Sequence, residues 1–251
     1  MLKKILIASA ICCTLIPALA QKDSTKKSST TITAYIDGYY RGLLKDGGGS
    51  NNNLTSFTNS YNAFKLGMAS VKVDQAIGKF TASLDLGVGK RADEFSYNDH
   101  DVLTNIKQAT LSYAVSDKLK LTAGKFATHV GYELLDATSN RNYSMSYGFS
   151  YGPFFHTGLK AEYALSGKSS FMIGIANPTD YVTTSSASKV VIAQFSTKLF
   201  EDKTTIYANY QGGNTGGNTS FTQFDVVINN IISSQFALNY DGTIYSAKDG
   251  K

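Results

Sequence analysis

The chain has 251 residues, 22 of them glycine and 16 tyrosine, with three prolines, two cysteines and no tryptophan. Lys and Arg number 24 against 19 Asp and Glu, an excess too small for a nucleic-acid-binding surface. No apolar run beyond the N-terminal one approaches the roughly 18 residues of a membrane-spanning helix, so any membrane insertion is expected through strands.

The first element, residues 1–20, reads as a secretory signal peptide. "MLKK" is its positively charged start, Ile5 to Ile16 its apolar stretch, and "ALA" before Gln21 its small-residue cleavage site. Cleavage takes Lys3 and Lys4, leaving 22 basic residues against 19 acidic, and takes Cys12 and Cys13, leaving a mature chain without cysteine. An exported chain of this size without disulfides depends on packing and backbone pairing. Residues 21–30 are expected to be a flexible N-terminal segment, and 31–251 the folded body.

From there the chain alternates with a period of two, the signature of strands with one apolar and one polar face. Candidate strands lie near 31–41, 61–73, 79–88, 105–115, 119–126, 155–165, 169–176, 189–200, 204–210, 221–228 and 235–245. The connectors after the first, third, fifth, seventh and ninth are long and rich in Gly, Asn, Ser and Asp. The others are short, as in "DQAIG", "SDK", "SGKS", "EDK" and "NNIISS". An antiparallel meander places alternate turns at opposite ends, so one end becomes a rim of tight turns and the other a crown of long loops. That is the pattern of an outer-membrane barrel, with short periplasmic turns and long outer loops. A β-sandwich with Greek-key crossovers would scatter its long connections between both ends.

In a barrel, Phe80, Ala82, Leu84, Leu86 and Val88 are expected to face lipid, while Thr81, Ser83 and Asp85 line the lumen. In the sixth strand the opposite register would turn Lys160 into the bilayer at a cost of roughly 2–4 kcal/mol. Phe155, Thr157, Leu159, Ala161 and Tyr163 are therefore placed outside and His156, Lys160 and Glu162 inside. Tyr35 and Asp37 line the lumen on the first strand. In the second, Phe64, Leu66 and Met68 share one parity and Val71 and Val73 the other, which a bulge would reconcile.

The stretch "LTAGKFATHVGYELLDATSNRNYSMSYGFSYGPFFHTGLKAEY", residues 121–163, resembles the putative beta-barrel porin family (OmpL-like) of Gram-negative outer membranes, with its order "GKF…GYE…N…YS…GPF.HTG". The likeness extends more loosely to "AYIDGYY", "IKQATLSYAV" and "MIGIANPTDYV". It implies an antiparallel, up-and-down transmembrane β-barrel that admits small hydrophilic solutes. Such barrels close an even number of strands, so about 12 or more are expected when the chain is complete. Because the eleventh candidate is followed only by "YSAKDGK", either C-terminal strands are missing, the barrel closes with fewer strands, or it assembles with another copy as a homo-oligomer.

The remaining motifs point away from chemistry. His156 and Lys160 share a face but stand roughly 13 Å apart along a strand at about 3.3 Å per residue, too far for a catalytic dyad. His100, His129 and "NDHD" lack metal-ligand spacing, and "GVGKR" lacks the glycine spacing and following Ser/Thr of a phosphate loop. No catalytic residue, metal or cofactor is expected. The connector from 131 to 153 carries too many apolar groups for a solvated loop, and is expected to fold into the lumen as the constriction, with Glu133, Asp136, Asn140 and Arg141 as its polar face. The reading is a porin for passive diffusion of small hydrophilic solutes, in contact with outer-membrane lipid and exported by its signal. The rivals are a surface adhesin or receptor acting through its long loops, and an outer-membrane lipase, which would need a Ser/His pair on the lipid-facing surface.

Overall fold

The computed structural model describes residues 27–42, 56–215 and 219–249. The expected signal peptide and residues 21–26 lie outside them. Eleven strands follow one another: β1 (Ser28–Arg41), β2 (Ala63–Ile77), β3 (Phe80–Val88), β4 (Ile106–Ala114), β5 (Leu119–Ala127), β6 (Phe155–Ala164), β7 (Ser169–Ala176), β8 (Val190–Leu199), β9 (Thr204–Asn214), β10 (Thr219–Ile231) and β11 (Ala237–Asp249). Each pairs antiparallel with its neighbours in sequence, so the sheet order is the chain order. Two short helices, α1 (Lys90–Phe95) and α2 (Tyr147–Ser150), occupy connectors that the sequence reads as plain loops.

The expectation of a closed barrel of about 12 or more strands is corrected here. The sheet has eleven strands and is open: among the described residues no ladder joins β11 to β1. Parity and turn length could not reveal this, because they report which face is apolar and at which end the loops lie. A sheet rolled around inserted segments has the same two faces as a closed one. The connector "QGGNTGGNTS" is also shorter than it reads, since β9 runs to Asn214 and β10 starts at Thr219.

One face of the sheet carries Ile36, Phe64, Leu84, Leu159, Ile175, Phe224 and Ile244, all exposed, with Phe64 reaching 86%. Aromatic pairs stand on this face at both ends, Tyr40 on Phe64 near the long loops and Phe80 on Tyr113 near the tight turns. The alternation in β3 is strict: Leu84 is 43% exposed and Asp85 4%. The other face is covered by the long connectors. Phe57, Phe95, Leu135, Met145 and Phe154 from these segments pack with Met68 and Phe155 of the sheet, and a second cluster joins Phe126, Met172, Val190, Ile192 and Phe221. Phe155, expected on the outer face, is fully buried here at the very start of β6, beneath the connectors.

Three breaks in the period of two set the inner face. In β2, Asp37 pairs with Met68 but Gly38 with Leu66, so Gly67 is an extra residue and Met68 turns inward, away from the parity of Phe64 and Leu66. A side chain at Gly67 is excluded because the Asp37 carboxylate occupies its place. In β4, Asp85 pairs with Gln108 and Leu86 with Ile106, leaving Lys107 as the bulged residue. In β5, Gly124 has φ 122°, and beyond it Lys125 and Phe126 are both buried. By strict alternation Lys107 would follow Leu111 and Lys125 would follow Leu121 onto the apolar face. The bulge at Lys107 and the left-handed backbone at Gly124 return both lysines to the polar one.

A Cβ on Gly124 would lie 2.0 Å from the Ala109 carbonyl oxygen, and its φ disfavours any L side chain. Gly124→Ala is expected to cost about 1–3 kcal/mol or more, read as a lowered urea midpoint in lipid or detergent. Gly167→Ala, in a turn where a Cβ meets nothing within 4 Å, is expected to leave the midpoint unchanged.

Candidate functional site

The inner face is built around buried charges, each tying a strand to a connector. Arg91 of α1 is wholly buried. Its Nε lies 3.5 Å from the Asp37 carboxylate of β1, its Nη2 donates to the Tyr143 carbonyl at 2.7 Å, and its guanidinium sits 4.6 Å over the Tyr143 ring. Asp37 also accepts from Tyr35 Oη, from Tyr143 Oη at 3.1 Å and from the Met68 N–H at 3.0 Å. Lys107 bridges Asp85 of β3 at 3.1 Å and Asp136 of the 128–153 connector at 2.8 Å. Lys125 reaches Ser96 Oγ at 2.8 Å and Asp99 at 3.4 Å, and lies 3.8 Å over the Phe155 ring.

The 128–153 connector folds across this face. At one end the N–H of Gly131 donates to Asp225 of β10 at 3.0 Å and that of Tyr132 to Asp241 of β11 at 3.2 Å. At the other end Tyr143 reaches Asp37 on β1. Within it, Glu133 accepts from the N–H and hydroxyl of Ser146, and Asn140 exchanges hydrogen bonds with the Leu134 backbone.

Where Gly131 and Tyr132 cross the sheet they separate two cavities. The one on the long-loop side, about 670 Å³, is lined by Gln211, Gln223 and Tyr245 from the strands and by Tyr97, Tyr151 and Asp180 from the connectors. The one on the tight-turn side, about 540 Å³, holds Lys160, Arg141, His129, Gln194 and Asn229.

The residues proposed from sequence are distributed as follows. Asp37 and Tyr35 meet in the Arg91 network, and Asp85 and Asp136 meet on Lys107. Lys160 and Arg141 share the tight-turn cavity. Glu162 pairs with Lys120 at 2.9 Å and stands 3.9 Å from Lys160. Thr81 is exposed and Ser83 half-buried. His156 is 1% exposed, 5.3 Å from His129 ring to ring, and neither of its ring nitrogens has a hydrogen-bond partner among the described residues. Burial pushes the His129 imidazole down to about 4, so it is neutral at physiological pH with Nε2 3.0 Å from the Tyr210 carbonyl. Arg91, Lys107 and Lys125 escaped the sequence reading. Arg91 stood inside a discarded phosphate-loop motif, and the two lysines lay on the apolar parity. The available signal was that a lysine on the apolar parity of a strand calls for a local irregularity of the backbone beside it. Among the described residues no group of three or more His, Cys, Asp or Glu is placed to hold a metal.

Two outcomes follow. Lys107→Met removes the buried cation between Asp85 and Asp136 and is expected to cost on the order of 3–5 kcal/mol, with Asp85→Asn added to it recovering part of the loss in a denaturant titration. Asp180, between β7 and β8, accepts from the N–H groups of Phe154 and Phe155 at 2.7 and 3.0 Å, yet burial pushes its carboxyl up to about 6. The native state therefore holds this proton more tightly than the unfolded chain, and its contribution to stability falls as pH rises from about 4 to 6. Asp180→Asn, which keeps the acceptor and removes the charge, is expected to raise the thermal midpoint at pH 7.5 by roughly 3 °C or more. At pH 4.5 most of that advantage is expected to vanish.

A family model matches residues 29–251, under the description Putative beta-barrel porin-2, OmpL-like. No curated protein and no solved structure matches the chain. The match spans nearly the whole of the strand-bearing region, and the chain belongs to this OmpL-like porin family.

Proposed function

We propose that the protein provides a water-filled route by which small hydrophilic solutes diffuse passively across the outer membrane, without chemistry. The observation that carries this reading is the pair of cavities along the polar face, one on each side of the Gly131–Tyr132 crossing, on a sheet whose other face is apolar. In this reading the apolar face meets lipid, and the crossing connector is the constriction. The side chains along the route are fixed by hydrogen bonds and ion pairs, so selectivity follows from bore and charge. Arg141 and Lys160 leave the tight-turn cavity cationic, since Glu133 and Asp136 are engaged with Ser146 and Lys107. Nothing in the site favours the lipase reading: both His129 and His156 belong to the inner face.

The test is permeation of glycerol and KCl through liposomes carrying the purified protein. Deleting Thr138 to Tyr147 is expected to raise single-channel conductance, and Arg141→Gln to shift ion selectivity toward cations. Protein that inserts but passes neither solute would overturn the proposal and leave the long loops as the functional element.

A further inference from the structure

The two cavities differ in chemistry. The tight-turn cavity is cationic, but among the described residues lining the long-loop cavity there is no Lys, Arg or His. Its one acid, Asp180, is already engaged by the N–H groups of Phe154 and Phe155. What faces the space instead is aromatic and amide. On the sheet side Phe221 and Tyr245 lie nearly parallel, 23° apart with ring centroids 5.7 Å apart. On the connector side stand Tyr97 and Tyr151, the latter 79% exposed. Between them, Gln211 and Gln223 sit opposite each other on β9 and β10. The Gln211 amide donates to Gln223 Oε1 and its own oxygen accepts from Thr179, so the Gln223 amide nitrogen is left without a protein partner among the described residues.

We infer that this long-loop cavity is a binding site for a neutral saccharide of one or two rings. Resting on the diffusion route proposed above, this inference names the class of solute that the route takes. A pyranose has two faces of C–H groups and a rim of hydroxyls. Flat tyrosine rings meet the faces, burying apolar surface while their own hydroxyls stay in water. A planar amide offers a donor pair and an acceptor to adjacent hydroxyls. The volume of about 670 Å³ falls within the roughly 300–1,000 Å³ of small-molecule sites. An anionic solute finds no counter-charge here and meets Asp180, whereas a purely apolar one would strip water from the glutamines without replacing their hydrogen bonds.

The experiment is saturation-transfer NMR on the full chain in detergent, with maltose as the neutral probe and glucose 6-phosphate as the anionic one. In parallel, glycerol permeation is measured in liposomes. Maltose is expected to bind saturably and glucose 6-phosphate not. Tyr245→Ala and Gln223→Ala are each expected to weaken maltose roughly tenfold. Tyr151→Ala, at an exposed connector position that the fold does not need, is expected to weaken it as well. Absence of maltose binding, equal binding of the phosphate, or binding unchanged in the variants with unaltered circular dichroism would each overturn the inference. Glycerol permeation without maltose binding removes the site and keeps the route. Maltose binding without glycerol permeation removes the route and keeps the site.

Discussion

A cation taken out of water has to meet an anion, and for the three buried cations among the described residues, Arg91, Lys107 and Lys125, an anion is supplied by a different segment of chain. Asp37 on β1 meets Arg91 on α1, Lys107 on β4 meets Asp136 on the central connector, and Lys125 on β5 meets Asp99 on the connector after β3. Separating any one of these pairs strands a buried charge, which costs far more than a surface ion pair is worth. The long connectors are thereby drawn onto the polar face of the sheet. What would be a crown of loops becomes a filling.

The filling has its own apolar logic. Phe57, Phe95, Leu135, Met145 and Phe154 make a cluster within the inserted segments, with Met68 and Phe155 as their footing on the sheet. Edge-to-face and tilted ring contacts of 5.3 to 5.4 Å join Phe57, Phe149, Phe154, Phe155 and Phe95, a geometry that favours aromatic pairs beyond the area they bury. The sheet therefore has a protein core on one face and exposed apolar side chains on the other. Polar space remains in the cavities beside the Gly131 crossing.

Much of this was legible from the residues. The strands, the alternation of long and short connectors and the orientation of Leu84 and Asp85 follow from period two. So does the need for an irregularity in the second strand, expected between Met68 and Val71; the structure places it earlier, at Gly67, and turns Met68 inward. The apolar weight of the 131–153 connector led to the expectation of a segment folded inward, and in the structure Gly131 and Tyr143 contact Asp225 and Asp37 of the sheet. Three things were hidden, each for a physical reason. Closure is invisible to parity, because an open rolled sheet and a closed one share the same two faces. Lys107 and Lys125 sit inside because of a bulge and a glycine at φ 122°, local backbone events that no periodic reading contains. The partner of Asp136 is set by long-range packing: Lys107 of β4, a residue the sequence reading did not connect with this connector.

The central connector has a consequence for how the chain reaches this state. Hairpins between sequential strands are local and form without waiting for the rest. The hydrogen bonds from Tyr132 to Asp241 and from Tyr143 to Asp37, however, span 109 and 106 residues. Contacts of such separation are paid for in loop-closure entropy before they return any energy, and they slow folding. The strands at the two margins of the sheet, which do not pair with each other among the described residues, are thus both tied to a segment near the middle of the chain. Docking of this connector therefore carries a loop-closure cost that no hairpin between sequential strands carries.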